Sequence, residues 1–78
     1  METIEVVFVE FDNWHYEVMI DGPHAWRFIK EQRKSIARIL IMPLDLDEIN
    51  ENLKNRSFLN SEYIKKILDN NPATRTLQ

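Results

Sequence analysis

This 78-residue chain contains no cysteine and only one glycine. The absence of cysteine excludes disulfide bonds and thiolate zinc sites, and two histidines are too few to form a structural metal site alone. A single glycine excludes a glycine-rich phosphate-binding loop. We therefore expect neither a metal nor a cofactor. A chain of this length is close to the lower limit for a self-supporting core, so a partner subunit or another protein is expected to add stability.

Long hydrophobic runs are also missing. The unbroken apolar runs, such as residues 39–42, reach only four residues, whereas a membrane-spanning helix needs about 20. The first residues, METIEVVF, lack the basic start and the long apolar stretch of a signal peptide. These features predict a cytoplasmic protein without membrane contact. Length and composition predict a single small α+β domain over residues 1–71 and a disordered tail over residues 72–78.

Positive charge is absent from the first part of the chain. Residues 1–22 contain six acidic residues and no Lys or Arg, whereas residues 23–43 contain five Lys and Arg residues and one Glu. The net charge of the whole chain is -3 and its pI is near 5.3. Because domains that bind nucleic acid strongly are usually basic overall, this balance argues against such binding as the main function.

The acidic segment has the composition of a β-hairpin. Its two runs, IEVVFVEF and WHYEVMI, are rich in β-branched and aromatic residues, and the intervening Asp12-Asn13 pair suits a two-residue turn. That turn would pair Phe11 with Trp14 and Val9 with Tyr16 on one apolar face. The other face of the ribbon would then present a mixed acidic and apolar surface, composed of Ile4, Val6, Phe8, Glu10, His15, Glu17, Met19 and Asp21.

The basic segment follows a helical period from His24 to Met42. Phe28, Ile36 and Leu40 fall within one apolar arc at about 100° per residue, and this arc is expected to pack on the apolar face of the hairpin. The opposite side of this helix over residues 24–42 would present a basic stripe of Arg27, Lys30, Lys34 and Arg38. Residues 38–42 also suit a third strand, since Ile, Leu and Met tolerate either state.

The C-terminal part predicts two short helices. Asp45 and Glu48 form a capping pair for the first, and the second begins near Asn60 and ends at Asn70-Asn71-Pro72. The expected fold is thus α+β in the order ββααα. The apolar middle of the outer hairpin face needs a cover, for which the C-terminal helices are the leading candidate. A symmetric partner or another protein is the alternative.

Catalysis has one candidate set, namely Glu10, His15 and Glu17 on the outer hairpin face. A histidine between carboxylates can act as a general base or hold a divalent metal, as in a weak hydrolase or nuclease. Neighbours on an exposed ribbon have no cleft that excludes water, so a solvated charge pair is the better interpretation. We therefore predict that the protein is not an enzyme and has no catalytic residues.

The remaining interpretation is a small non-enzymatic regulatory protein that binds another protein stoichiometrically, as an inhibitor, an adaptor or an antitoxin-like molecule. Its partner would have a basic surface and would contact the outer hairpin face, residues Ile4, Val6, Phe8, Glu10, His15, Glu17, Met19 and Asp21. A homodimer is also expected, since the open ribbon edges can pair with a second copy. The alternative function is nucleic-acid binding through Arg27, Lys30, Lys34 and Arg38, although a solvated helix face is the preferred explanation of that stripe.

Overall fold

The computed structural model describes residues 2–77, which form a four-stranded antiparallel sheet and three α-helices. The strands are β1 (Thr3–Phe11), β2 (Tyr16–Ile20), β3 (Ile36–Asp45) and β4 (Arg75–Thr76), in the spatial order β2-β1-β3-β4. The helices are α1 (Pro23–Gln32), α2 (Leu46–Lys54) and α3 (Ser61–Asn70). The α+β class is confirmed, but the predicted ββααα order is matched only roughly because strands and helices interleave.

The prediction of one helix over residues 24–42 is wrong beyond Gln32. There α1 ends, and a 3₁₀ turn over Arg33–Ser35 leads into β3, so the third strand considered near residues 38–42 is the observed structure. β3 lies between β1 and β4, with Ile39 and Leu40 buried on opposite faces of the sheet. A strand that is buried on both faces has a continuous apolar run, and periodicity alone does not distinguish such a run from a buried helix.

The β-hairpin is present, but its register differs by one residue from the predicted one. The Phe11 N–H donates to the His15 carbonyl at 2.8 Å, and the Trp14 N–H donates to the Phe11 carbonyl at 3.1 Å. The loop therefore has three residues, and Trp14 adopts the left-handed conformation (φ 63°) that commonly closes such loops. Because strand side chains alternate, the slip exchanges the two faces of β2 relative to the prediction.

Helices cover both faces of the sheet. Helix α1 packs on the face that contains Val7, Val9 and Phe11, whereas α2 and α3 pack on the face that contains Val6 and Phe8. Each of these large side chains contributes roughly 1.5 to 3 kcal/mol on full burial. The C-terminal helices thus provide the cover for the second face, as expected, and no second protein is needed to bury Val6 and Phe8.

Both C-terminal helices begin at the expected capping residues. Asp45 Oδ1 accepts a hydrogen bond from the Glu48 N–H at 2.7 Å, and Asn60 Oδ1 accepts one from the Glu62 N–H at 2.9 Å. These bonds satisfy N–H groups that lack partners within the first helical turn. Over residues 2–77, the structure contains no helix of the length and apolar character required to cross a membrane.

The C-terminal segment joins the sheet. Strand β4 pairs with Arg38 and Ile39 of β3, and the Leu77 N–H donates to the Ala37 carbonyl at 2.8 Å. A disordered tail was predicted over residues 72–78, but residues up to Leu77 are ordered against the sheet. Gln78 lies outside the described residues.

Candidate functional site

The eight residues that were predicted to form one partner-binding surface lie on opposite faces of the sheet. Ile4, Val6, Phe8 and Glu10 face α2 and α3, and the last three are buried. His15, Glu17, Met19 and Asp21 lie on the α1 side, because they stand opposite the odd-numbered residues of β1. The prediction that these eight residues share one exposed surface is wrong, and the cause is the slip of one residue in the hairpin register.

Glu10 was expected on the outer surface, but only 5% of its surface is exposed to solvent. It lies directly opposite Arg38 in the β1–β3 pair. Arg38 Nε donates to Glu10 Oε1 at 2.7 Å, Arg38 Nη2 donates to Oε2 at 2.8 Å, and Tyr16 Oη donates to Oε2 at 2.7 Å. The outer hairpin face and the basic stripe were expected on opposite sides of the molecule, but at this pair the acidic and basic segments neutralise each other.

The ion pair continues to α3. Arg38 Nη1 donates to Asp69 Oδ1 at 2.6 Å, and Lys65 Nζ donates to Asp69 Oδ2 at 2.8 Å. Hydrogen bonds from Arg38 lower the pKa of Glu10 although burial opposes this effect, and bonds from Lys65 and Arg38 lower the pKa of Asp69. Burial and the bond to Glu10 raise the pKa of Tyr16 to about 12. This network fixes β1, β3 and α3 to one another.

The predicted basic stripe is interrupted because α1 ends at Gln32 and its fourth member, Arg38, lies on a strand. Arg27 and Lys30 are exposed on α1, and Lys34 is exposed in the 3₁₀ turn that follows. Arg38 lies on β3, on the opposite face of the sheet, where it binds Glu10 and Asp69. The prediction of one continuous face with four cations is therefore wrong.

The catalytic candidates are separated as well. His15 Nε2 lies 2.7 Å from Glu17 Oε1, and the two side chains are 56% and 42% exposed. Glu10 is on the other face of the sheet, so it does not join this pair. Within residues 2–77, no three His, Asp or Glu side chains are grouped in a way that could hold a metal ion. His15 and Glu17 form a hydrogen-bonded pair on the exposed side of the hairpin.

The outer edge of β2 is an open sheet edge, because no strand within residues 2–77 pairs with it. The N–H of Phe11 bonds to His15 and the N–H of Asp21 bonds to Glu5, so the odd-numbered residues of this strand direct their backbone groups at β1. In an antiparallel ladder the intervening residues direct theirs the other way. The backbone groups of Tyr16, Val18 and Ile20 therefore point away from β1 at the open edge, where they can pair with a further strand.

An acidic groove lies between this edge and α1. It consists of two adjoining cavities of about 460 and 640 Å³, which share Glu17 and Phe28 as lining residues. The carboxylates of Asp12, Glu17 and Asp21 line the groove, and no Lys or Arg within residues 2–77 lines either cavity. Of the acidic residues in the predicted partner-binding surface, Glu17 and Asp21 line this groove and Glu10 does not. Asp12, which was not predicted, lines it as well.

An apolar cleft lies on the other side of β2. Val18, Leu53 and Phe58 line this cavity of about 370 Å³, together with Trp14 and Leu59, which are 70% and 80% exposed. The sequence interpretation missed these residues and assigned Trp14 to the core.

The left-handed backbone of a non-glycine residue costs about 1 to 2 kcal/mol, so Trp14 occupies the tip of the hairpin at a cost to stability.

No protein-family model matches this chain, and searches among curated proteins and among solved structures found no significant match. The assignment of function therefore rests on the described surfaces.

Proposed function

We propose that this protein is a non-enzymatic, cytoplasmic binding protein that acts by stoichiometric contact with a more basic partner protein. The observation that supports this proposal is the open edge of β2, bordered by the carboxylates of Asp12, Glu17 and Asp21. An inhibitor, an adaptor or an antitoxin-like regulator would work through contact of this kind, since each blocks or links its target without chemistry.

The mode of contact that fits this edge is the addition of a strand from the partner. Main-chain hydrogen bonds to Tyr16, Val18 and Ile20 supply affinity, and the alternating side chains of the added strand supply specificity. Residues that face the apolar cleft beside Val18 should be apolar. Residues that stand opposite Glu17 should be Lys or Arg, because directly opposed charges of opposite sign stabilise a strand pair. The preferred target is a strand in which basic and apolar residues alternate.

Trp14 adds a second reason to place the contact here. Exposed tryptophans are frequent among the residues that contribute most to protein–protein affinity. This one projects beside the cleft that also contains Leu53 and Leu59, which are exposed as well. An unusual backbone conformation kept at an exposed aromatic residue is a reason to infer a role in binding rather than in folding.

A direct test uses a short synthetic peptide in which Lys and Val alternate, with fluorescence anisotropy as the measurement. The parent protein should bind it, and a peptide of the same composition with Lys and Val in separate blocks should bind at least about tenfold more weakly. Glu17→Lys combined with Asp21→Lys should weaken binding by a similar factor, because the groove changes sign. The matched control is Glu48→Lys combined with Glu51→Lys on α2, which makes the same change in net charge at exposed residues away from the groove.

Strand addition predicts a second, independent effect. The Val18 N–H points away from β1, so Val18→Pro removes a donor from the open edge without removing a bond of the β1–β2 ladder. This variant should lose peptide binding, whereas Val18→Ala, which loses a comparable amount of packing, should keep it. Equal binding of the alternating and block peptides would contradict the proposal. So would tight binding of duplex DNA that depends steeply on salt and disappears in Lys30→Glu with Lys34→Glu, a pattern that indicates a nucleic-acid-binding protein.

A further inference from the structure

A second groove lies on the opposite flank of α1 from the acidic one. Its volume is about 580 Å³, and it is bounded by α1, by β3 and by the C-terminal segment that includes β4. The apolar part of its lining includes Trp26, Ile29, Ile39, Ile41 and Leu77. Of these, Trp26, Ile41 and Leu77 are each more than a third exposed, so the groove presents apolar surface to solvent.

The charged part of the lining is entirely cationic. Lys30, Arg33 and Arg75 line the groove and no Asp or Glu within residues 2–77 does, although acidic residues outnumber basic ones in the chain. None of these three side chains forms an ion pair or a side-chain hydrogen bond within residues 2–77, in contrast to Arg38 and Lys65. Three cations thus line an apolar groove to which residues 2–77 contribute no acidic side chain.

We propose that this groove binds a free single-chain amphiphile with a carboxylate head group. The head group would pair with Lys30, Arg33 and Arg75, which supply charge-assisted hydrogen bonds to a carboxylate. The acyl chain would lie along the apolar lining between Ile29 and Ile41. Small-molecule sites are typically concave and mostly apolar, contain a few polar groups and have volumes of about 300 to 1,000 Å³. The volume of this groove and its lining of apolar and cationic residues agree with that description.

The groove itself supplies a spectroscopic probe. Trp26 is one of two tryptophans, and the other, Trp14, lies outside this groove, so Trp14→Phe leaves a single indole in the proposed site. Addition of dodecanoate below its micellar concentration should change Trp26 fluorescence in a saturable manner. Dodecanol and dodecyltrimethylammonium have the same chain but no negative head group, and each should bind at least about tenfold more weakly.

Two triple variants then separate the groove from general surface charge. Lys30→Gln with Arg33→Gln and Arg75→Gln should weaken dodecanoate binding by at least about tenfold. Lys54→Gln with Arg56→Gln and Lys66→Gln removes the same charge from the α2 and α3 side and should leave binding unchanged. Ile41→Asp should abolish the fluorescence change, because it places a carboxylate against the acyl chain.

The proposal is overturned if dodecyltrimethylammonium binds as tightly as dodecanoate, or if both triple variants lose binding equally. It is also overturned if Trp26 responds only to anionic phospholipid vesicles, which would indicate a membrane surface, or only to an acidic peptide, which would indicate a protein partner. The alternating Lys and Val peptide, measured by fluorescence anisotropy in groove variants that keep Trp14, should still bind the edge of β2. The two proposals can therefore fail independently.

Discussion

Glu10 and Arg38 show how one pair of residues can reverse an interpretation of charge. In the sequence they belong to an acidic segment and a basic segment that were expected on opposite outer surfaces. In the structure they are direct neighbours on adjacent strands, and Glu10 is buried beneath the guanidinium. Composition reveals both charges but not their contact, since the contact depends on residues 36–45 forming a strand and on its register with β1.

Loss of the Arg38 guanidinium should be costly. Arg38→Met leaves the Glu10 carboxylate buried without its cation, and removal of one partner from a buried pair typically destabilises a protein by about 3 to 5 kcal/mol. Asp69→Asn should have a much smaller effect, because Asp69 is exposed to solvent. Urea denaturation measures both free energies of unfolding. Equal losses in the two variants would show that the buried pair has no special importance for stability.

The acid stability of the protein should depend on Glu10. Its pKa is lowered in the folded state from an ordinary value of 4.5, so the folded protein retains the charge where the unfolded chain binds a proton. The corresponding stability is present above about pH 4.5 and is lost as the pH falls through the lowered pKa. Glu10→Gln should therefore flatten the decline in unfolding free energy below pH 4.5, measured by urea denaturation at a series of pH values. The decline should not vanish, since the pKa of Asp69 is lowered as well.

Trp14 allows binding and stability to be separated. Trp14→Gly relieves about 1 to 2 kcal/mol of left-handed backbone strain. The greater freedom of glycine in the unfolded chain offsets about 0.4 to 1 kcal/mol of this gain. The unfolding free energy should therefore change little. Binding of the alternating Lys and Val peptide should fall at least about tenfold if the exposed indole contacts the partner. Loss of thermal stability in this variant would instead assign Trp14 a role in the fold.

Among the helices and strands, features set by neighbouring residues could be predicted from the sequence, and features set by distant contacts could not. The starts of α2 and α3 followed from Asp45 and Asn60, because a cap acts within one helical turn. The end of α1 at Gln32 was missed, since residues 36–42 satisfy a helical wheel as well as a buried strand. The hairpin itself was predictable from its composition. Its register was not, because a two-residue turn and a three-residue loop that contains Trp14 both fit the sequence.

The central position of β1 makes it the element most sensitive to substitution. Phe8 is fully buried against the helices of one face, and its ring packs edge-on against Phe58 with centroids 6.0 Å apart. Phe8→Ala should cost about 3 to 5 kcal/mol through loss of buried surface and formation of a cavity. Leu59→Ala is the matched control on the same side of the sheet, and should cost little because Leu59 is 80% exposed. A small effect at Phe8, measured by urea denaturation, would contradict the described packing.

For the whole molecule, the arrangement around α1 determines what the candidate surfaces can bind. The acidic groove lies on one flank of this helix and the cationic groove lies on the other. The sequence indicated two charged surfaces and a protein partner, but it placed them on opposite sides of a hairpin–helix pair. In the structure both grooves lie on the α1 side of the sheet, because β2 lies on one side of β1 and both β3 and β4 lie on the other. Only the tertiary order of the strands contains that information.

Self-association should use the same edge of β2 as a partner strand. A dimer is not needed to bury Val6 and Phe8, since α2 and α3 cover them. The backbone groups of Tyr16, Val18 and Ile20 at the open edge can still pair with a second copy. We expect sedimentation at micromolar concentration to show a dimer that Val18→Pro converts to a monomer and Val18→Ala does not. The carboxylates beside the two edges would repel each other, so added salt should strengthen this dimer. The alternating Lys and Val peptide should dissociate this dimer, because the peptide and the second copy of the chain compete for the same edge of β2. A dimer that survives Val18→Pro and is indifferent to the peptide would place the self-contact elsewhere on the molecule.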